Sequence, residues 1–209
     1  MNERELGRVG AFSDGVFAVA ITLLVLDIHR PDDFSQLPQS LLDLWPSYLA
    51  YVTSFVSIGT FWMHHHYVFG LLGRIDWVFM GLNILILMFI AFMPFPTAVL
   101  AQSLGSGEGR EAATVFYAVV LCATSAVTKV AWQYAARGRR LVSPNAPADE
   151  IRMTSQTYLI GPVGYLIAAA VAFFSPWTAI AICGALVLLY VLPTSHWLAE
   201  RGTAPREEN

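Results

Sequence analysis

Six long apolar runs separated by short polar breaks set the pattern of this 209-residue chain. They cover residues 11–28, 44–63, 77–100, 112–135, 158–174 and 177–192, with an earlier start near Met153 left open for the fifth. A bilayer core needs about 20 apolar residues as helix, and each run meets or approaches that length. The pattern therefore predicts an all-α polytopic membrane protein with six transmembrane helices. Pro31-Asp32-Asp33 closes the first run, His64-His65-His66 the second, and Ser175-Pro176 splits the last two into an antiparallel hairpin. One six-helix domain is expected over residues 1–200, followed by a short polar tail over 201–209.

Composition agrees: 56% of residues are hydrophobic and 13% charged, about half the charge of a soluble domain. The net charge of −3 gives no basic field for nucleic acid. Glu3, Arg4, Glu5 and Arg8 precede the first run and no small-residue cleavage site closes it, so it reads as a retained helix. Orientation follows from Lys and Arg. With the N-terminus inside, Arg4, Arg8, Arg74, Lys129, Arg137, Arg139, Arg140, Arg152, Arg201 and Arg206 are inner and only Arg30 and Arg110 outer, ten against two. Both termini are expected in the cytoplasm. Trp45, Trp77, Trp132, Trp177 and Trp197 fall near run ends, as interfacial aromatics do. Cys122 and Cys183 lie in apolar runs and read as small buried hydrophobes.

The first run concentrates the information. At about 100° per residue, Val19, Leu23 and Leu26 form a stripe with Thr22 beside it and Phe12 at its inner end. Asp14 lies about 140° from Val19, so the stripe can meet a symmetry axis while the other side anchors inside the subunit. An ionisable residue one turn inside a membrane helix needs a partner. Arg8 and the histidines that end the second helix arrive at the same depth. A structural network drawn from Arg8, Ser13, Asp14, His64 and His65 would satisfy these groups, and a structural clamp is preferred to a direct proton or ion role. His64, His65 and His66 point in three directions, so they are not expected to share a metal. Pro94 and Pro96 shape the third helix, Asn83 in it is an interhelical hydrogen-bonding residue, and Gly161-Pro162 and Gly164 mark close packing or a bend in the fifth. Arg137, Arg139 and Arg140 read as topology determinants able to touch anionic lipid.

Arg8, Phe12, Ser13 and Asp14 make an Arg-x-x-x-Phe-Ser-Asp signature. It resembles that of the transmembrane protein 175 type potassium channels, whose prokaryotic members carry one six-helix repeat. Phe61-Trp62-Met63-His64-His65 and the segment from Asn83 to Thr97 through Met93-Pro94-Phe95-Pro96 resemble the same members. The resemblance implies a homotetramer with the first helix lining one central pore. It implies a hydrophobic constriction in place of a carbonyl filter, with rings at Val19, Leu23 and Leu26 and a hydroxyl at Thr22. Many relatives carry Ile or Leu where this chain has Val19. Potassium would be the permeant ion, no cofactor is implied, and the setting would be the plasma membrane of a prokaryote. A narrow apolar ring gates by dewetting and admits the more weakly hydrated ion at lower cost.

No nucleophile–base pair, phosphate loop or catalytic carboxylate pair is present, so the expectation is a non-enzyme. A secondary transporter would want broken helices in matching halves, and only the first half carries such motifs. A non-conducting membrane scaffold is the third reading.

Overall fold

The structure is a computed structural model and describes residues 3–28, 31 and 34–191. His29, Arg30, Asp32, Asp33 and everything from Leu192 on, including His196, Trp197, Arg201, Arg206 and the tail at 201–209, lie outside the described residues. Eight α-helices follow in order: α1 Glu3–Leu23, α2 Leu37–Asp43, α3 Trp45–Leu71, α4 Trp77–Phe92, α5 Pro94–Ser106, α6 Arg110–Ala136, α7 Ala148–Ala172 and α8 Pro176–Val191. Short 3-10 turns extend α1 over Leu24–Asp27 and α6 over Arg137–Arg139. Among the described residues there is no strand, only one antiparallel bridge between Leu72 and Val142.

The apolar runs become rods whose ends differ from their hydropathy limits. α3 continues about two turns past its apolar run, through the histidines to Leu71, because Val68 and Leu71 bury against Trp132 and Val142. α7 begins at Ala148, ten residues before its apolar run. Asp149 and Glu150 occupy its first turn, where the helix dipole favours them. Both extensions are polar or mixed, so a membrane-depth signal cannot register them. The seven-residue α2 was not expected; it sits between α1 and α3 and is braced by Gln39 Nε2 donating to Asp43 at 2.9 Å.

The third run is divided at Met93, yet Met93 keeps helical angles and the 30-residue stretch Trp77–Ser106 remains continuous enough to count as one span. Pro94 and Pro96 withhold two backbone donors there. The Met93 N–H still reaches the Ile90 carbonyl at 3.2 Å, which offsets part of the loss. Four helical runs among the described residues are long and apolar enough to cross a bilayer: Arg4–Asp27, Trp77–Ser106, Arg110–Arg139 and Ala148–Ala172. α8 is apolar but shorter, and the 27-residue α3 is long but interrupted by hydroxyls and histidines.

The rods alternate in direction. One end gathers the start of α1, the turn 72–76, the loop 137–147 and the close of α8. The turn and loop are zipped by Gly73 N–H to the Leu141 carbonyl and Ser143 N–H to the Leu71 carbonyl, each 2.9 Å. A Cβ at Gly73 would sit 3.0 Å from the Ser143 Cα, so glycine permits this approach. Asp76 caps α4 here: its carboxylate accepts the Phe79 N–H at 2.9 Å and the Tyr134 hydroxyl at 2.7 Å. Partial burial would raise its pKa, but these two donors and the nearby Arg140 guanidinium hold it below the usual carboxylate range. The opposite end carries Trp45 stacked on Trp177 at 5.7 Å, with the Arg110 guanidinium over the same Trp177 ring. Five of the expected inner cations, Arg8, Arg74, Arg137, Arg139 and Arg140, thus share one end, and Arg110 lies at the other.

Candidate functional site

α1 packs on α3 and α4 along a single stripe. Ser13, Phe17, Ala20 and Leu24 are buried at 0, 1, 2 and 0% exposure. Their spacing of 4, 3 and 4 keeps one side of the helix inward. The other side has no cover within the chain: Phe12, Val19, Leu23 and Leu26 are 62, 57, 42 and 73% exposed, and Thr22 is exposed among them. Only 22% of the most apolar stretch of α1 is buried, against 44% in the runs Trp77–Ser106 and Arg110–Arg139. An apolar helix so placed needs lipid or another subunit on its bare side.

Thr22 Oγ1 donates to the Val19 carbonyl at 2.9 Å. Its single proton is spent inside the helix, and the hydroxyl lone pairs remain outward. The bare surface is therefore apolar with one hydroxyl oxygen set in its middle.

A directional hydrogen-bond chain fixes the inward side. His65 Nε2 donates to Asn83 Oδ1 at 2.8 Å, Asn83 Nδ2 donates to Ser13 Oγ at 3.0 Å, and Ser13 donates to the Val9 carbonyl at 2.9 Å. All three side chains are buried, and Phe69 stacks on the His65 ring at 4.3 Å. In an apolar slab each unmet donor would be costly, so the chain locks α1, α3 and α4 in one register.

The expected network is redrawn by this geometry. Ser13 and His65 meet only through Asn83. Asp14 is not the buried anchor: it sits at the edge of the exposed arc and accepts the Trp62 indole N–H at 2.9 Å. Arg8 is exposed and makes no ion pair with Asp14, since six residues along a helix place it far round the axis. His64 also lies outside the network. It points toward α7 and α8, with its ring 5.8 Å from Tyr158 and 5.0 Å from Tyr190, because neighbouring residues on a helix diverge by about 100°. There it borders a cavity of ≈ 30 Å³ shared with Thr60, Ser125 and Tyr165, room for about two waters.

The sequence did not reveal Trp62 as the partner of Asp14, nor a second buried cluster in which Ser54 Oγ lies 2.7 Å from Thr97 Oγ1 and 2.9 Å from Tyr117 Oη. For the inward side, the expected interhelical role of Asn83 and the grouping of Ser13 with His65 did point the right way, and the 13-17-20-24 spacing was a further signal. Among the described residues, no three His, Cys, Asp or Glu side chains gather where they could hold a metal.

A bundle of apolar helices with one underpacked helix, anchored behind and bare in front, defines an integral membrane protein built to meet further copies or lipid along α1. Residues 8–94 match the family model described as endosomal/lysosomal potassium channel TMEM175. The chain is 44% identical to a protein named as a potassium channel from Chamaesiphon minutus, over 91% of this chain and 95% of that one. It is 42% identical to another so named from Streptomyces collinus, over 89 and 91%. The crystal structure of a lysosomal potassium-selective channel TMEM175 homolog from Chamaesiphon minutus superposes with a TM-score of 0.82 at 40% identity, covering 97% of this chain and 100% of that one. The chain belongs to the TMEM175 family, whose members are ion channels and not enzymes.

Proposed function

We propose that this chain is one subunit of a homotetrameric, potassium-selective leak channel in the plasma membrane of a prokaryote. α1, α3, the α4–α5 run, α6, α7 and α8 are then the six spans of one domain over residues 1–200, with both termini cytoplasmic. The observation that carries this reading is the bare face of α1, which presents Val19, Thr22, Leu23 and Leu26 while Ser13 ties the opposite face to α4. Four such faces around an axis form stacked apolar rings. Water leaves a narrow apolar ring readily, so an ion crosses only by shedding part of its shell, and potassium sheds its shell at lower cost than sodium. Thr22, with its proton held by the Val19 carbonyl, offers four oxygens to the passing cation. The roles of Ser13 and Asp14 in this reading are structural: their bonds to Asn83 and Trp62 set the angle at which α1 enters the assembly, while Phe12 lies on the bare face and Arg8 is exposed at the helix start. No cofactor enters it; potassium is the permeant ion and the bilayer and the other three subunits are the partners.

The test is potassium flux from liposomes containing the purified chain, with oligomer mass measured in the same detergent. Tetramers with potassium flux well above protein-free vesicles support the reading. A monodisperse monomer, or flux equal to empty vesicles, overturns it.

A further inference from the structure

The basic end of the molecule carries a groove that the conduction path does not use. It is open, ≈ 610 Å³, and lined by Tyr134, Arg137, Gly138 and Arg140. Four arginines gather near it, but they are not equivalent. Arg74 donates from Nε and Nη2 to the Arg140 carbonyl at 3.0 and 2.8 Å. Arg139 donates to the Ser143, Pro144 and Ala146 carbonyls and so staples the loop. Among the described residues, the guanidiniums of Arg137 and Arg140 donate to no other group of the chain. The Arg140 guanidinium carbon sits over the Tyr134 ring, 4.8 Å from its centroid, which positions it without consuming its N–H groups.

The backbone is bent to produce this arrangement. Gly138 has φ +61° and Arg139 φ +54°, a left-handed pair in which the arginine is sterically disfavoured. The reversal turns Arg139 inward to the loop carbonyls and leaves Arg137 and Arg140 on the groove. Asp149 and Glu150 begin α7 at this end and Glu5 lies on the first turns of α1, but the carboxylate paired electrostatically with Arg140 is Asp76, and its oxygens already accept Phe79 N–H and the Tyr134 hydroxyl. Depth also fits. The 27 residues of α6 span about 40 Å, longer than a hydrocarbon core of about 30 Å, so its last turn reaches the headgroup layer. Trp77, 79% exposed at the same end, marks the interface.

We infer that Arg137 and Arg140 form a binding site for the phosphodiester headgroup of an anionic membrane lipid. Two guanidiniums with free, planar donor sets match phosphate oxygens, and the groove opens beside the acyl layer. The inference rests on the membrane reading but not on which side of the membrane this end faces.

The experiment uses the full-length assembly in detergent, titrated with phosphatidylglycerol or phosphatidylcholine, with retained lipid counted by native mass spectrometry. Phosphatidylglycerol should be retained and phosphatidylcholine washed off. Arg137→Gln/Arg140→Gln should weaken retention about tenfold or more, while Arg152→Gln, an exposed arginine on α7, should leave it unchanged. The Arg74 bonds go to the Arg140 backbone, so the double variant keeps them. If its melting midpoint without lipid nevertheless falls, Arg137→Gln alone carries the test, and it should still lower retention severalfold. Equal retention by wild type and variants overturns the site. Displacement of the lipid by millimolar inorganic phosphate would mean a free-anion site and also overturn it. Potassium flux in phosphatidylcholine alone, intact in the variants, separates this result from failure of the channel reading.

Discussion

Ser13 and Thr22 face opposite ways on α1: Ser13 accepts from Asn83 in the core, and Thr22, nine residues on and about 180° round, is exposed on the bare side. The Asn83 bond, with the Trp62–Asp14 bond beside it, thus sets what the front of the helix presents.

Asn83→Leu should loosen that register. It leaves the His65 Nε2–H and one side of Ser13 without partners in an apolar setting, a loss of about 1–3 kcal/mol. Thermal melting of the detergent-solubilised assembly should show a lower midpoint and a broader elution profile. An unchanged midpoint would mean that the 3.0 Å contact carries no weight.

Asp14 and Trp62 should behave as a coupled pair. Asp14→Ala and Trp62→Phe each remove the same 2.9 Å bond, so the double variant should be less destabilised than the sum of the singles. The expected coupling is about 0.5–1.5 kcal/mol, with the upper part of the range for a charged acceptor. Strict additivity in melting experiments would count against the pair.

These two contacts show where sequence reasoning stopped. Hydropathy located the rods, because an apolar slab demands runs of a minimum length. It missed the last two turns of α3 and the first turns of α7, whose polar or mixed residues give no apolar run and which are held by Leu71, Val142 and the acidic start of α7. The wheel separated Val19, Leu23 and Leu26 from the packed side, since that depends on geometry within one helix. Choosing Asn83 over Asp14 as the anchor's companion required the depth and rotation of α4 relative to α1, which no single helix encodes. The Ser54, Thr97 and Tyr117 cluster joins three helices and was illegible for the same reason. Arg8 and His64 were drawn into the network by proximity along the chain and at the helix end; their directions exclude them.

Asp76 should give the pH dependence of the basic end. Its pKa is lowered in the folded chain, so it contributes stability above the ordinary carboxylate value of about 4, lost as pH falls through the lower folded value. Asp76→Ala also removes the α4 cap, worth about 0.5–2 kcal/mol. The difference in melting midpoint between wild type and variant should be largest near pH 7 and shrink below about pH 4. A difference that grows on acidification would contradict the assignment.

If Val19 and Leu23 set permeation, the potassium-to-sodium flux ratio of the reconstituted channel should change in Val19→Asn and Leu23→Asn. Four amides at either ring would hold water in the constriction and lower the dewetting barrier. Sodium flux should rise relative to potassium, with total flux equal or greater. Val19→Phe should close the path. Ile84→Asn, at a 60% exposed position on α4, serves as the control and should leave the ratio unchanged in whatever fraction assembles. A ratio untouched by both α1 substitutions, or moved by Ile84→Asn instead, would contradict the account and place the pore elsewhere.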